Sequence, residues 1–194
     1  MTRIYAGIAV AGVVAFLGTS ALYVLTNRAE DDFTACRRGQ IAGGDIGGPF
    51  TLVNTKGETV TDKDVLTKPS LVYFGYTFCP DVCPLDMMRN VDAVQLLAEQ
   101  GLEVTPVFIT IDPDRDTPAV MRDYAGDRAK PVADIPWAFV APASRGELDR
   151  VLEGFEQDVT RAATGDSREL SHVLKVFLVD GGGWVREIYS TSFL

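Results

Sequence analysis

Ser70-Leu71-Val72-Tyr73-Phe74-Gly75-Tyr76 runs directly into Thr77-Phe78-Cys79-Pro80-Asp81-Val82-Cys83-Pro84. The first stretch is nearly continuous in apolar residues, which marks a strand buried on both faces. The second places two cysteines four residues apart where that strand ends. Pro84 suits the first turn of a helix, where a missing N–H costs nothing. Asp86 favours the positive end of that helix. Met88, Val91, Val94, Leu97 and Ala98 then recur at helical spacing, and Gly101 closes the segment. A strand, a cysteine pair and a helix hold two soft sulfurs at the rim of a sheet, where they can close as a disulfide or bind a thiophilic metal.

The same punctuation continues outward. Val104 to Ile111 predicts the next strand. Asp116-Thr117-Pro118 predicts a cap and a helix through Met121 and Tyr124. Trp137 to Val140 predicts a short strand, and Ser144 to about Gln157 a helix with Leu148, Val151, Leu152 and Phe155 on one face. Val173 to Val179 and Trp184 to Tyr189 flank Asp180-Gly181-Gly182-Gly183 as a hairpin. Upstream, Phe50 to Val53 and Thr59-Val60 read as a second hairpin around Thr55-Lys56-Gly57-Glu58. The order is α/β, with a right-handed parallel crossover around the first long helix and antiparallel strands at the end. With the cysteine pair at a helix N-terminus, this is a thioredoxin-like arrangement. No internal repeat is visible.

The chain divides into three parts. Residues 4–25 carry no charge and are long enough to cross a hydrocarbon core of roughly 30 Å as a helix. Tyr5 and Tyr23 sit near the two ends, as interfacial aromatics do. The run exceeds the apolar region of a cleaved signal peptide, so an N-terminal transmembrane anchor is expected. Residues 26–47 are polar and then glycine-rich, a linker. Residues 48–194 form the domain. Arg3 and the terminal amine precede the anchor while Arg28, Arg37 and Arg38 follow it. Taken alone, that balance favours a cytoplasmic domain. Cys36, about ten residues beyond the apolar run, is too far from it for a lipidation site and reads as a free thiol. The glycines at 43–48 lack the strand and helix that a phosphate-binding loop requires.

Composition sets limits on function. The 194 residues are 46% hydrophobic and 23% charged, enough for a real core, and the net charge of −9 speaks against nucleic-acid binding. Three cysteines and one histidine exclude a disulfide-stapled scaffold and any site built on several histidines.

A helix N-terminus lowers the pKa of a thiol placed on it, which serves a redox thiol and a metal ligand equally. The usual redox pair has two residues between the cysteines. Here there are three, Pro80, Asp81 and Val82, so the ring is wider and can open to hold an ion between both sulfurs. Cu(I) accepts two or three soft donors, and an added imidazole gives a site that tolerates Cu(II) as well. His172, just before the strand at Val173, is the candidate third ligand. Structural zinc wants four protein ligands, and three are visible. Asp112-Pro113-Asp114-Arg115-Asp116 offers a harder metal site or a docking loop on one reading. On the other, Asp116 or Thr117 caps a helix and the remaining carboxylates are solvated. Asp81 reads as a turn residue. Peroxide reduction or redox sensing by Cys79, with Cys83 resolving, would need a cationic residue beside the thiolate, and the motif holds none.

The stretch Val72 to Pro84, the segment Ile111-Asp112-Pro113-Asp114-Arg115-Asp116-Thr117-Pro118 and the late His172 together resemble the Sco/SenC/PrrC family, over residues from about 47 to 190. The resemblance implies a membrane-tethered thioredoxin-like domain in the bacterial periplasm or the mitochondrial intermembrane space, opposite to the charge balance above. It implies copper held by Cys79, Cys83 and His172. It also implies a role as metallochaperone, thiol reductase or both in assembling the binuclear copper centre of cytochrome c oxidase. The implied partners are the copper-bearing oxidase subunit and another copper chaperone. The chain departs from the family at Ser171, where an aspartate commonly precedes the histidine. It also ends at Leu194, where the family continues into a C-terminal helix. Without that helix, the sheet face near Trp184 and Ile188 is expected to be exposed or covered by a partner.

Overall fold

The computed structural model describes residues 12–20, 46–128, 137–161 and 170–190. The chain separates into two compact units, residues 1–38 and 39–194. In the first unit, residues 12–20 form a helix, α1. Among the described residues no helix is long and apolar enough to cross a membrane; the rest of the expected anchor at 4–25, and Cys36, lie outside the described residues.

The second unit is built on one sheet. In chain order its elements are β1 (Thr51–Asn54), β2 (Thr59–Thr61), α2 (Asp62–Val65), β3 (Ser70–Gly75), α3 (Val82–Glu99), β4 (Thr105–Thr110), α4 (Pro118–Arg128) and β5 (Ala138–Ala141). There follow α5 (Arg145–Gly154), β6 (Val159–Arg161), β7 (Leu170–His172), β8 (Lys175–Val179) and β9 (Val185–Ser190). Seven strands form the main sheet in the order β2-β1-β5-β4-β3-β8-β9. β3, β4 and β5 run parallel, β1 joins β5 and β8 joins β3 antiparallel, and β9 pairs antiparallel with β8 at the edge. The expected α/β, thioredoxin-like arrangement is therefore present.

β3 lies inside the sheet and all six of its residues are buried, as its unbroken apolar sequence demands. Its side chains alternate between two faces. Phe74 meets Phe155 and Phe177 edge-on at 5.3 and 5.8 Å between ring centres. On the opposite face Tyr73 meets Phe108, which in turn meets Tyr124 and Phe139. Gly75 ends the strand for a steric reason: a Cβ there would lie 2.9 Å from the Phe108 ring and 3.0 Å from the Tyr73 ring.

Register brings the functional segments to one edge. Gly75 pairs with Thr110 across the parallel β3–β4 ladder, so the loops after both strands leave the sheet side by side. Val176 pairs with Tyr73 across the antiparallel β3–β8 ladder, so the start of β8 and the residues before it reach that same edge. Ligand sites in open α/β sheets lie at such carboxyl ends.

Several details differ from expectation. The strand predicted at Val173 begins only at Lys175, because His172 belongs to β7, which pairs with β6 through Val159↔His172. The short α2 was not anticipated. It starts where the Thr61 N–H and hydroxyl donate to the Asp64 carboxylate at 2.8 and 2.7 Å. The inner face of α3 carries Val91 and Val94 as expected, but its first turns differ from the expected stripe. Cys83, Asp86, Met87, Asn90, Val91 and Val94 are buried, while Met88 is 54% exposed. Asp86 is accordingly a buried carboxylate, paired at 3.0 Å with Arg89, and not a surface charge at the helix start. At the final hairpin Trp184 is exposed and Ile188 half-buried.

Candidate metal centre

The loop between β3 and α3 folds around the two sulfurs. The Cys79 N–H donates to the Tyr76 carbonyl at 3.2 Å. The Cys83 N–H donates back to the Cys79 sulfur at 3.3 Å. Unpaired N–H groups at the start of a helix therefore point at Cys79. Both cysteines are free thiols and both are buried, Cys83 completely.

This arrangement splits the pair electrostatically. A hydrogen bond from the Cys83 thiol lowers the pKa of Cys79 most, backbone N–H groups of Cys83, Asp81 and Val82 add to it, and burial opposes it, leaving Cys79 at about 6. Cys83 is pushed far above the ordinary thiol range, first by the same shared hydrogen bond and then by burial. Near neutral pH the pair holds one proton, on Cys83.

The loop is fastened from the β4–α4 connection. The buried Asp116 carboxylate accepts from the Thr77 N–H at 3.0 Å and from the Thr77 and Thr110 hydroxyls. Burial raises its pKa, and these donors partly offset the rise. Arg115 pairs with Asp112. Its guanidinium lies 5.0 Å from the Phe78 ring centre and 5.8 Å from that of Tyr76, gripping both sides of Thr77 by cation–π contact. The expected helix cap is Thr117, which accepts from the Val120 N–H at 3.4 Å. Asp112 and Asp116 are buried, so they are not solvated as one reading of that segment had it. Asp114 pairs with Arg145. A cation thus does stand at the cysteine loop, supplied by Arg115 from a neighbouring segment and not by the motif.

His172 reaches the site from β7. Its ring lies 6.3 Å from that of Tyr73 and 6.4 Å from that of Tyr76, edge-on to both. Burial lowers its pKa, while the Val173 carbonyl and the Asp86 charge work the other way. Nδ1 lies 3.3 Å from the Val173 carbonyl, which places the ring proton there and leaves the lone pair on Nε2. The two sulfurs interact with each other, and the neutral imidazole stands against Tyr73 and Tyr76. Among the described residues, no three His, Cys, Asp or Glu side chains close into a metal-sized group.

Sequence reasoning passed over three side chains. The Tyr73 ring lies edge-on to His172 at 6.3 Å, and its hydroxyl favours the charged form of Cys83. Asp86 acts electrostatically on His172, and its spacing of three from Cys83 along a helix would have flagged it as facing inward. Arg115 was read only as part of an acidic segment.

The protein-family model described as SCO1/SenC matches residues 38–193. Protein SenC of Rhodobacter capsulatus is 57% identical over 117 residues, which cover 60% of this chain and 53% of that protein. The chain thus spans about half the length of that relative. The crystal structure of Arabidopsis thaliana ScoI with copper bound is similar at a TM-score of 0.67 and 28% identity, covering 76% of this chain and 89% of that one. The structure of Bradyrhizobium japonicum ScoI with copper bound is similar at a TM-score of 0.63 and 29% identity, covering 76% and 90%.

Proposed function

The chain belongs to the SCO1/SenC family, and from that premise we propose that it is a copper-binding assembly factor. It holds one copper ion through Cys79, Cys83 and His172 and passes it to the copper-bearing subunit of cytochrome c oxidase. The ion is cargo, received from another copper chaperone. Residues 4–25 anchor the chain in the inner membrane, with the domain facing the periplasm or the mitochondrial intermembrane space.

The observation that carries this reading is the donor set. Two sulfurs share a single proton, with the Cys83 N–H 3.3 Å from the Cys79 sulfur, and a neutral imidazole lies against Tyr73 and Tyr76, the residues that lead into the cysteine loop. Thiolate and imidazole are the donors that soft copper prefers. Cys79 binds as the thiolate it already is, and Cys83 gives up the shared proton. Asp116 and Arg115 hold the loop so that little needs to be ordered on binding. Copper itself supplies only its affinity for sulfur and nitrogen.

The test is anaerobic copper titration of the full chain in detergent. Wild type is expected to bind one copper. His172→Ala is expected to weaken Cu(II) far more than Cu(I), because two thiolates still satisfy Cu(I). Unchanged Cu(II) binding in that variant would refute the three-ligand site.

A second reading is favoured by the asymmetry of the cysteines. A thiolate on Cys79 over a protonated, fully buried Cys83 suits thiol–disulfide exchange. Cys79 attacks a disulfide sulfur of the partner and expels one partner thiolate. Cys83 then loses its proton and attacks Cys79 of the mixed disulfide. That releases the second partner thiolate and leaves the Cys79–Cys83 disulfide. A dithiol potential below about −300 mV with slow exchange would count against this role.

A further inference from the structure

α3 is apolar on both sides. Its inner face buries Cys83, Met87, Val91 and Val94. Its outer face carries Val82, Leu85, Met88 and Leu96, which are 37%, 48%, 54% and 58% exposed. With Asp92 between the last two, these positions follow one another at helical steps of three and four and form one ridge. A surface helix ordinarily turns charged and polar residues to water, and one that is apolar all round is covered on both sides. The ridge begins at the metal centre. Val82 directly precedes Cys83, and Phe78, 57% exposed, directly precedes Cys79. The Phe78 ring does not hang free. The Arg115 guanidinium lies 5.0 Å from its centre, and Arg115 is itself tied to the buried Asp112. An exposed aromatic ring that is already held loses little freedom when something docks on it.

The charges beside the ridge decide what fits it. Asp81 stands at its start and Asp92 within it, both exposed. The arginines nearest in sequence, Arg89 and Arg115, are paired with the buried carboxylates of Asp86 and Asp112. The ridge is therefore apolar with an acidic rim, on a chain of net charge −9. A second copy would set acid against acid, and an anionic lipid surface would be repelled. We infer that the outer face of α3, together with Phe78, docks a partner polypeptide that is apolar where it meets Val82, Leu85 and Met88 and carries lysine or arginine around that contact. This rests on the preceding section, where the same cysteines meet a partner protein as copper donor or as dithiol. From Val82 to Leu96 the ridge spans about 21 Å, the reach of about seven extended residues.

The probes are three synthetic peptides, each a disulfide-closed cysteine pair followed by about eight residues, enough to run the length of the ridge. The first combines leucine and phenylalanine with arginine. The second has glutamate in place of arginine, and the third serine in place of the apolar residues. Hydroxyethyl disulfide, small and neutral, reads the cysteines alone. In each case Cys79 attacks one sulfur, Cys83 closes the protein disulfide, and the substrate leaves as two thiols. Rates are taken relative to that of dithiothreitol on the same substrate. The reduced full chain is expected to prefer the first peptide at least about tenfold over either of the others, with the preference over glutamate shrinking as salt is added. Leu85→Ser with Met88→Ser should lose about tenfold toward the first peptide and nothing toward hydroxyethyl disulfide. Asp92→Lys should narrow the preference for arginine over glutamate. All three positions are exposed, so the fold tolerates these changes. Equal rates for the three peptides, or wild-type rates in the double variant, would overturn the docking face with the exchange chemistry intact. Sedimentation of the wild type as a dimer that the double variant abolishes would give the face to a second copy and overturn it too. A wild type that fails to reduce even hydroxyethyl disulfide would remove the exchange reading and this inference with it.

Discussion

Cys79 should react as a thiolate well below the pH at which ordinary thiols do, and the size of the effect follows from its surroundings. With its pKa brought from 9.0 to about 6, roughly 90% of Cys79 is ionised at pH 7, against about 1% of an unperturbed thiol. That gain of about 90-fold in thiolate is offset by weaker intrinsic nucleophilicity. At a Brønsted slope of about 0.45, three pH units cost about 20-fold. The net rate advantage at neutral pH is thus only about fourfold, and above about pH 8 Cys79 should be slower than a free thiol. The pH profile is therefore the diagnostic quantity, not the rate at one pH. Iodoacetamide labelling of the reduced full chain, with each cysteine followed by peptide mass, should give Cys79 a midpoint near 6 while the buried Cys83 stays unlabelled. Cys83→Ala removes the largest cause of the shift, so the midpoint should rise, but not fully, because the backbone N–H donors remain. A Cys79 midpoint at or above about 8.5, or equal labelling of the two cysteines, would refute this picture of a shared proton.

Asp116→Ala strips the acceptor from three donors around Thr77 and Thr110 and should cost about 2–4 kcal/mol in urea unfolding; a loss under about 0.5 kcal/mol would mean that the loop does not depend on it. Because burial raises the Asp116 pKa in the folded state, its contribution is fully present below 3.8 and is lost as pH rises through the higher folded value. Asp116→Asn should flatten that part of the stability–pH curve, and an unchanged curve would count against the assignment. Since Cys83 keeps its proton until metal binds, apparent copper affinity should rise with pH between about 6 and 8 with release of close to one proton, measured by competition titration in two buffers of different ionisation heat; pH-independent affinity would contradict this.

Much of the fold was legible because β3 is an unbroken apolar run, and the helix after it is announced by two cysteines and Pro84. The cysteine pair was legible for the same local reason. What stayed hidden depends on residues far apart in sequence. Asp116 looks like a helix cap until Thr77, 39 positions away, is seen to fill its oxygens. Val91 and Val94 were legible as inner positions of α3, but its first turns were misread because the buried face there carries Asp86 and Asn90, so that apolar periodicity points weakly and Met88 competes with Met87 for the buried position. β6 and β7 are three residues each, too short for alternation to register, and His172 was consequently assigned to the approach of β8. Tyr73 read only as one more apolar position of a strand, since nothing local marks its ring as lying against His172.

The most direct test of a centre built from Cys79, Cys83 and His172 is X-ray absorption at the copper edge of the full chain loaded with one equivalent of Cu(II). Two sulfur scatterers and one imidazole are expected, with the imidazole signature absent in His172→Ala and one sulfur lost in each of Cys79→Ser and Cys83→Ser. A wild-type spectrum with fewer than two sulfurs, or an imidazole signal that survives in His172→Ala, would contradict it.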